Sequence, residues 1–253
     1  MTGFIGKSGN HQALILEADG TIDGTNGYGT PIRRRLGDLG ISSAMISLEA
    51  RANELNDAIE SISCPLIISG GMTQVTSSKS WMEDARNAIS SLIQLNLERD
   101  ASSRVPILGI CFGAQLIAEA HDPGSVQYLD TPEIGSSEIT LNASSHPLFR
   151  SINSQFTAYA FHYNQIWSDD VHALSIHHLE GNRFLQAFEI KDAASYGVQF
   201  HPEFTLLEMT DLFMHYSGLI EDLGFSSQEI IESLPRVDNS ILIQNFLELA
   251  RKM

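Results

Sequence analysis

The chain has 253 residues, 43% of them hydrophobic, enough to bury one full α/β core without a second independent domain. Its 31 acidic residues against 15 basic ones give a formal charge of −16 with no basic stripe, which argues against nucleic acid or an anionic membrane surface as a partner. No apolar run reaches the ~18 residues of a membrane span, the amino terminus lacks a charged-then-apolar signal, and Cys64 and Cys111 form neither a disulfide framework nor a zinc spacing, so a cytoplasmic protein without metal or cofactor is expected.

Residues 12–19 read as a first strand, followed by "GTIDGTNGYGT" (20–30), whose four glycines and lack of periodicity predict a mobile loop. A helix is expected over 32–39, with Arg33, Arg34 and Arg35 on a solvated face, then a strand at 45–48, a helix at 53–61, a strand at 66–69, a long helix at 81–97, a strand at 105–110 and a helix from 114 onward. Strand and helix alternating through residue 120 predict a parallel sheet with helices on both faces. Between 125 and 200 the pattern changes to short strands such as 138–141, 156–161, 173–176 and 184–190, expected as an antiparallel extension beside the parallel sheet, with 196–200 a further buried strand. After Phe204 the chain reads as helical, over 206–219, 227–234 with Ser226 or Ser227 as cap, and 239–252, each with apolar residues three and four apart. These helices are expected to pack on the core; a homodimer face or a docking face for a partner is the other use open to them.

Three strand ends carry chemistry. In "PILGICFGAQLIAEA" (106–120) a buried strand must become a helix within a residue or two of Cys111, and small residues flank such a turn because it is strained and crowded. Cys111 would sit at the amino end of a helix, whose dipole and free N–H groups favour a thiolate. A lone G-x-C-x-G also describes a structural cysteine beside a tight turn. In "ASYGVQFHPEFT" (194–205) a strand is stopped by Pro202 with His201 and Glu203 at its carboxyl end, the edge of a doubly wound sheet where sites collect. In "CPLIISGGMTQV" (64–75) a strand breaks at Gly70 and Gly71, a pair that lets backbone N–H groups converge on a negative oxygen, although Ser-Gly-Gly alone is a common turn. Cys64, ahead of Pro65 at the start of that strand, reads as inert core.

"ISGG", "PILGICFGAQLIAEA", "EIGSSEITL", "HPLF" and "GVQFHPE", in that order over residues 12–204, resemble the class I, or triad-type, glutamine amidotransferases, the fold that supplies the amidotransferase domain of GMP synthetase. The resemblance implies an α/β, flavodoxin-like three-layer sandwich with a mostly parallel sheet, a small antiparallel extension and a helical carboxyl-terminal extension. It implies a catalytic unit over 1–204, with 205–253 packed on it. It makes Cys111 the nucleophile, His201 the base and Glu203 its orienting group, with Gly71 and Phe112 supplying the oxyanion-hole N–H groups. On the substrate side it places Gly70, Gln115, His162 and Asn164.

The activity implied is hydrolysis of the γ-carboxamide of glutamine through a cysteinyl thioester, with ammonia passed to a separate acceptor enzyme. A stand-alone hydrolase of another γ-glutamyl amide, and an inactive binding homologue, are the alternatives. Two departures bear on this. Relatives have proline where this chain has Met72, so the oxyanion loop is expected to be freer. Relatives read S-H-G-D where this chain has Phe161-His162-Tyr163-Asn164, which removes a carboxylate that helps recognise the amino group of glutamine. His162 reads either as a second site residue or as a strand-end histidine kept by packing.

Overall fold

The computed structural model describes residues 11–19, 27–179 and 181–253. β1 (Ala13–Glu17) leads through α1 (Gly29–Asp38) to β2 (Ser43–Ser47), then α2 (Leu48–Ala58), β3 (Leu66–Ile68), α3 (Ser80–Glu98), β4 (Ile107–Ile110) and α4 (Phe112–His121). β5 (Val126–Thr140), β6 (Gln155–Ile166), β7 (His172–Leu179), β8 (Asn182–Ile190) and β9 (Ser195–Val198) follow, and then the helices α5 (Leu206–His215), α6 (Ser217–Asp222), α7 (Ser227–Ser233) and α8 (Ile241–Ala250).

β1, β3, β4 and β9 are buried along nearly their whole length, as their unbroken apolar or small-residue runs require of central parallel strands. The main sheet runs β2-β1-β3-β4-β9-β8-β7, parallel from β2 to β9 and antiparallel at β8 and β7. Alternate strand residues serve opposite faces: Leu14, Leu16, Leu66, Ile68 and Ile107 pack with α2, α3 and α4, while Ala13, Ile15, Ile67 and Leu108 pack with α1 and α8. The result is the expected flavodoxin-like three-layer sandwich. A third apolar cluster joins Tyr28, Tyr159 and Phe161 to Met209, Leu212, Phe213 and Ile220 of α5 and α6. Each Leu, Ile or Phe fully buried in these clusters contributes about 1.5–3 kcal/mol.

Fully buried Asn96 of α3 ties the ends of β4 and β9 away from the site: its Nδ2 donates to the Val105 carbonyl at 2.7 Å and the Ala193 carbonyl at 2.9 Å, and its Oδ1 accepts from the Val105 N–H at 2.8 Å.

The antiparallel part differs from expectation. β7 and β8 do extend the parallel sheet, but β5 and β6 form a separate two-stranded sheet, and β5 runs for 15 residues where only 138–141 is expected. Its mixed, bulged stretch, with a register shift between Tyr128 and Glu133, hides the strand period. The helix expected over 206–219 is two, broken at Tyr216, whose φ −97° and ψ 19° leave the helical range. A capping box starts it: Thr205 accepts from the Glu208 N–H at 3.2 Å and the Glu208 carboxylate accepts from the Thr205 N–H at 2.7 Å. Most of the glycine-rich loop expected at 20–30 lies outside the described residues; α1 begins at Gly29, whose N–H donates to Glu17 Oε1 at 3.0 Å. No helix among the described residues is long and apolar enough to cross a membrane.

Candidate active site

β4 ends at Ile110 and α4 begins at Phe112, so Cys111 alone makes the turn, at φ 50° and ψ −104°. That conformation is strained for a residue with a Cβ, and it projects the side chain at the carboxyl edge of the sheet. The neighbours explain the glycines. A Cβ on Gly109 would lie 2.3 Å from the Gly113 carbonyl, and one on Gly113 would lie 2.3 Å from the Ile68 carbonyl, so the helix start, β4 and β3 close up only over bare backbone. The Cys111 N–H donates to the Val198 carbonyl at 2.8 Å and the Gly113 N–H to the Ser69 carbonyl at 3.1 Å, pinning the turn to both neighbouring strand ends. Phe112 holds the first helical position, where backbone N–H groups have no partner within the helix.

His201 follows β9 on the adjacent strand end. Its backbone N–H donates to the Tyr159 carbonyl at 2.9 Å, its Nδ1 lies 2.8 Å from Glu203 Oε1, and Cys111 is near enough to act on its ring electrostatically. Both His201 and Glu203 are buried. Burial works against the imidazolium, but the Glu203 carboxylate and Cys111 outweigh it and raise the His201 pKa to about 10. The thiol also points at the Phe161 carbonyl, 3.7 Å away. Glu203 Oε2 is buried without a hydrogen-bond partner among the described residues.

The glycine pair follows β3. Gly70 sits against His201 and Tyr28, at 3.0 and 3.2 Å from where a Cβ would stand. Beyond Gly71, the N–H groups of Met72 and Thr73 both donate to Asp19 Oδ2, the latter at 2.5 Å. Met72 keeps the N–H that proline lacks, and Asp19 turns it into a tether that the expectation of a freer loop did not include. The Met72 sulfur accepts from the Tyr163 hydroxyl at 3.4 Å, and both line a cavity of about 10 Å³. Gly71, Met72 and Thr73 line one side of it, Cys111 and Gln115 the floor, and 161–164 the other side. A more open groove of about 730 Å³, bounded by Thr140, His177, His178 and Arg183, shares no lining residue with it.

Gln115, His162 and Asn164 are all buried at this pocket. Asn164 Nδ2 donates to Gln115 Oε1 at 3.4 Å, and Gln115 Nε2 donates to Gln199 Oε1 at 3.3 Å. His162 is held at both ring nitrogens, by the Asn164 carbonyl at 2.9 Å and by Glu133 Oε2 at 2.7 Å. The structure therefore brings all nine residues singled out in the sequence to one end of the sheet.

Sequence reasoning missed Glu133, Asp19 and Arg35. Arg35, assigned to a solvated face, is half-buried and donates from Nε to the Glu203 carbonyl at 3.0 Å; Arg33 and Arg34 are exposed as expected, Arg34 in a surface pair with Glu208. Glu133 opens the EIGSSEITL stretch without any local sign of its role, and Asp19 ends the stretch read as the first strand; each acts through a partner distant in the chain. Cys64 is partly buried and burial raises its pKa, which keeps it a thiol. Among the described residues no group of three or more His, Cys, Asp or Glu side chains is arranged to hold a metal ion.

A three-layer α/β fold thus carries a strained cysteine, a histidine–carboxylate pair and a glycine loop on adjacent strand ends. The sequence model of the class-I glutamine amidotransferases matches residues 21–216, and the chain belongs to that family. Among its relatives is one separate subunit of the glutamine-hydrolysing GMP synthase of Methanococcus maripaludis, 32% identical over 130 residues, which cover 51% of this chain and 65% of the relative. The glutamine-hydrolysing GMP synthase of Fusobacterium nucleatum is 27% identical over 184 residues, 73% of this chain and 32% of that one. The chain thus spans less than two thirds of the length of these curated relatives. The solved structure of a glutamine amidotransferase from Thermotoga maritima superposes with a TM-score of 0.71 at 17% identity, covering 96% of this chain and 98% of the other, a likeness of fold.

Proposed function

We propose that the chain hydrolyses the γ-carboxamide of glutamine, with Cys111 as nucleophile, His201 as acid and base, and Glu203 as the group that orients it. The observation that carries this reading is the strained strand-to-helix turn at Cys111 beside the buried His201–Glu203 pair, which Cys111 influences electrostatically. Sulfur passes its proton to His201 and attacks the amide carbon, and the C–S bond forms as the carbonyl oxygen becomes an oxyanion, received by the N–H groups of Phe112 and Gly71. Collapse breaks the C–N bond, and His201 gives its proton to the departing nitrogen, so ammonia leaves and a γ-glutamyl thioester remains. Water then loses a proton to His201, attacks the thioester and releases glutamate with the thiol restored. A cavity of about 10 Å³ holds no more than a water, so admission of the substrate requires Met72 and Tyr163 to part.

The ammonia serves a separate acceptor enzyme in this reading, and the kinship to the Methanococcus GMP synthase protein supports it. The absence of any carboxylate side chain from the pocket lining, among the described residues, favours as the second reading a stand-alone hydrolase of another γ-glutamyl amide. Cys111→Ser should abolish ammonia release while leaving the circular dichroism spectrum unchanged, and a diazoketone analogue of glutamine should label Cys111 and spare Cys64. Full activity in the variant, or an adduct mapped to Cys64, would refute the assignment. Release of ammonia from glutamine that rises on adding an acceptor enzyme separates the first reading from the second, which turns over γ-glutamyl amides unaided.

A further inference from the structure

Behind the pocket lies a second buried carboxylate with a histidine. Glu133 and His162 are directly opposite on β5 and β6, so their side chains share a face, and both are buried. Around the Glu133 carboxylate stand His162 at 2.7 Å, the Gln186 amide Nε2 at 2.6 Å, His177 at 3.3 Å and the Ser137 hydroxyl. His162 meets an acceptor at each nitrogen, a carboxylate oxygen at Nε2 and a peptide carbonyl at Nδ1. A neutral imidazole can donate from one nitrogen only and would turn a lone pair toward the other acceptor. Two N–H groups satisfy both contacts, and the charge this creates is balanced by Glu133.

We propose that Glu133 is a positioning residue for substrate binding: it holds His162 as an imidazolium whose second N–H fixes the Asn164 carbonyl, and so sets the pocket wall that carries Asn164 and Gln115. This rests on reading the pocket as the glutamine site. Glu133 does not line the cavity that Cys111 enters, so its influence passes through His162. Burial pushes the Glu133 carboxyl up, yet His162, with Ser137 and His177, brings it down to about 2.

Glu133→Gln keeps the size of the side chain and removes its charge; with the amide oxygen held at the Oε2 position by the Gln186 amide, a neutral His162 donates to it through Nε2 and turns a lone pair toward the Asn164 carbonyl. The KM for glutamine should rise about tenfold while kcat stays within about twofold, the split expected when a group that aligns the binding wall is lost. In ¹⁵N NMR at pH 7 both His162 nitrogens should be protonated in the wild type, and one should shift to the unprotonated position in Glu133→Gln. An unchanged KM in an enzyme whose wild type is active, or a neutral His162 in the wild type, would overturn the proposal. Wild-type protein inactive on glutamine would instead remove the substrate reading and leave the spectrum to decide the state of His162. Should Glu133→Gln fail to fold, the wild-type spectrum and the same KM rise in His162→Gln carry the test.

Discussion

Two buried histidine–carboxylate pairs stand at the same end of this sheet, His201–Glu203 at 2.8 Å and His162–Glu133 at 2.7 Å, and they are wired differently. His201 gives Nδ1 to its carboxylate and turns the rest of the ring to a thiol, a group that can both give and take a proton. His162 gives its second nitrogen to a backbone carbonyl, which can do neither. A carboxylate beside an imidazole therefore does not make a catalytic pair; the partner on the far nitrogen decides whether a proton can move.

The sharpest way to separate the pairs is to neutralise each carboxylate in turn. Glu203→Gln should lower kcat by about 10²–10⁴, because His201 loses both its orienting acceptor and the charge that supports its protonated form. Glu133→Gln should leave kcat nearly intact. The pH profile carries a second sign. With its pKa raised to about 10, His201 stays protonated across neutral pH and can act as an acid until the pH passes that value. Without Glu203 the alkaline limb of kcat/KM should therefore move to lower pH. A rate loss of the same size in both variants would erase the distinction.

Stability against acid breaks the comparison from the other side. The Glu133 carboxyl is lowered from 4.5 to about 2 in the fold, so between those values the unfolded chain binds more protons than the native one. Its contribution, on the order of 3 kcal/mol, is fully present above pH 4.5 and disappears as pH falls through about 2. His201 runs the opposite way: its pKa is raised, so its contribution is complete below its ordinary value of 6.5 and is lost as pH climbs through about 10. Urea titrations from pH 6 to pH 2 should show Glu133→Gln with a flatter acid limb than wild type. Parallel limbs would show that the carboxylate is not held by its neighbours.

These contrasts also mark what the sequence made legible. Cys111, His201 and the glycine pair lie at ends of short apolar strands, where local pattern, turn chemistry and sheet topology agree, and the parallel half of the fold follows from the same runs. Glu133 sits on the bulged part of β5, where the period of two is broken, and its partner is 29 residues away in the chain. It opens the EIGSSEITL stretch that carries part of the family resemblance, but nothing local assigns it a partner. Arg35 was hidden by its neighbours, since three consecutive arginines look alike until α1 packs and turns one of them toward Glu203. Asp19 precedes a glycine-rich stretch and resembles a turn residue; only the fold brings it to the N–H groups of Met72 and Thr73.

The smallest effect concerns Asn164, which shares the pocket wall with His162 and which the family resemblance sets in the place of a carboxylate. An α-ammonium bound there meets a neutral amide, and replacing it by a carboxylate adds roughly one charge-assisted hydrogen bond, at ~1.5–3 kcal/mol before the substitution disturbs its neighbours. Asn164→Asp loses the donor that now faces Gln115 Oε1. That loss can be repaired locally, because Gln199 Nε2 at the far end of the row is buried without a partner among the described residues. Turning over the Gln115 and Gln199 amides presents Gln115 Nε2 to the new carboxylate and Gln199 Nε2 to Gln115 Oε1, with every contact again a donor on an acceptor. The carboxylate also comes near the His162–Glu133 pair, where it competes with Glu133 for the imidazolium and reduces the gain. The net expectation is a KM for glutamine about tenfold lower with kcat unchanged, measured by ammonia release over a range of glutamine concentrations. An unchanged KM would remove Asn164 from the recognition of the amino group, and a fall in kcat with it would show that the amide row also serves the chemistry at Cys111.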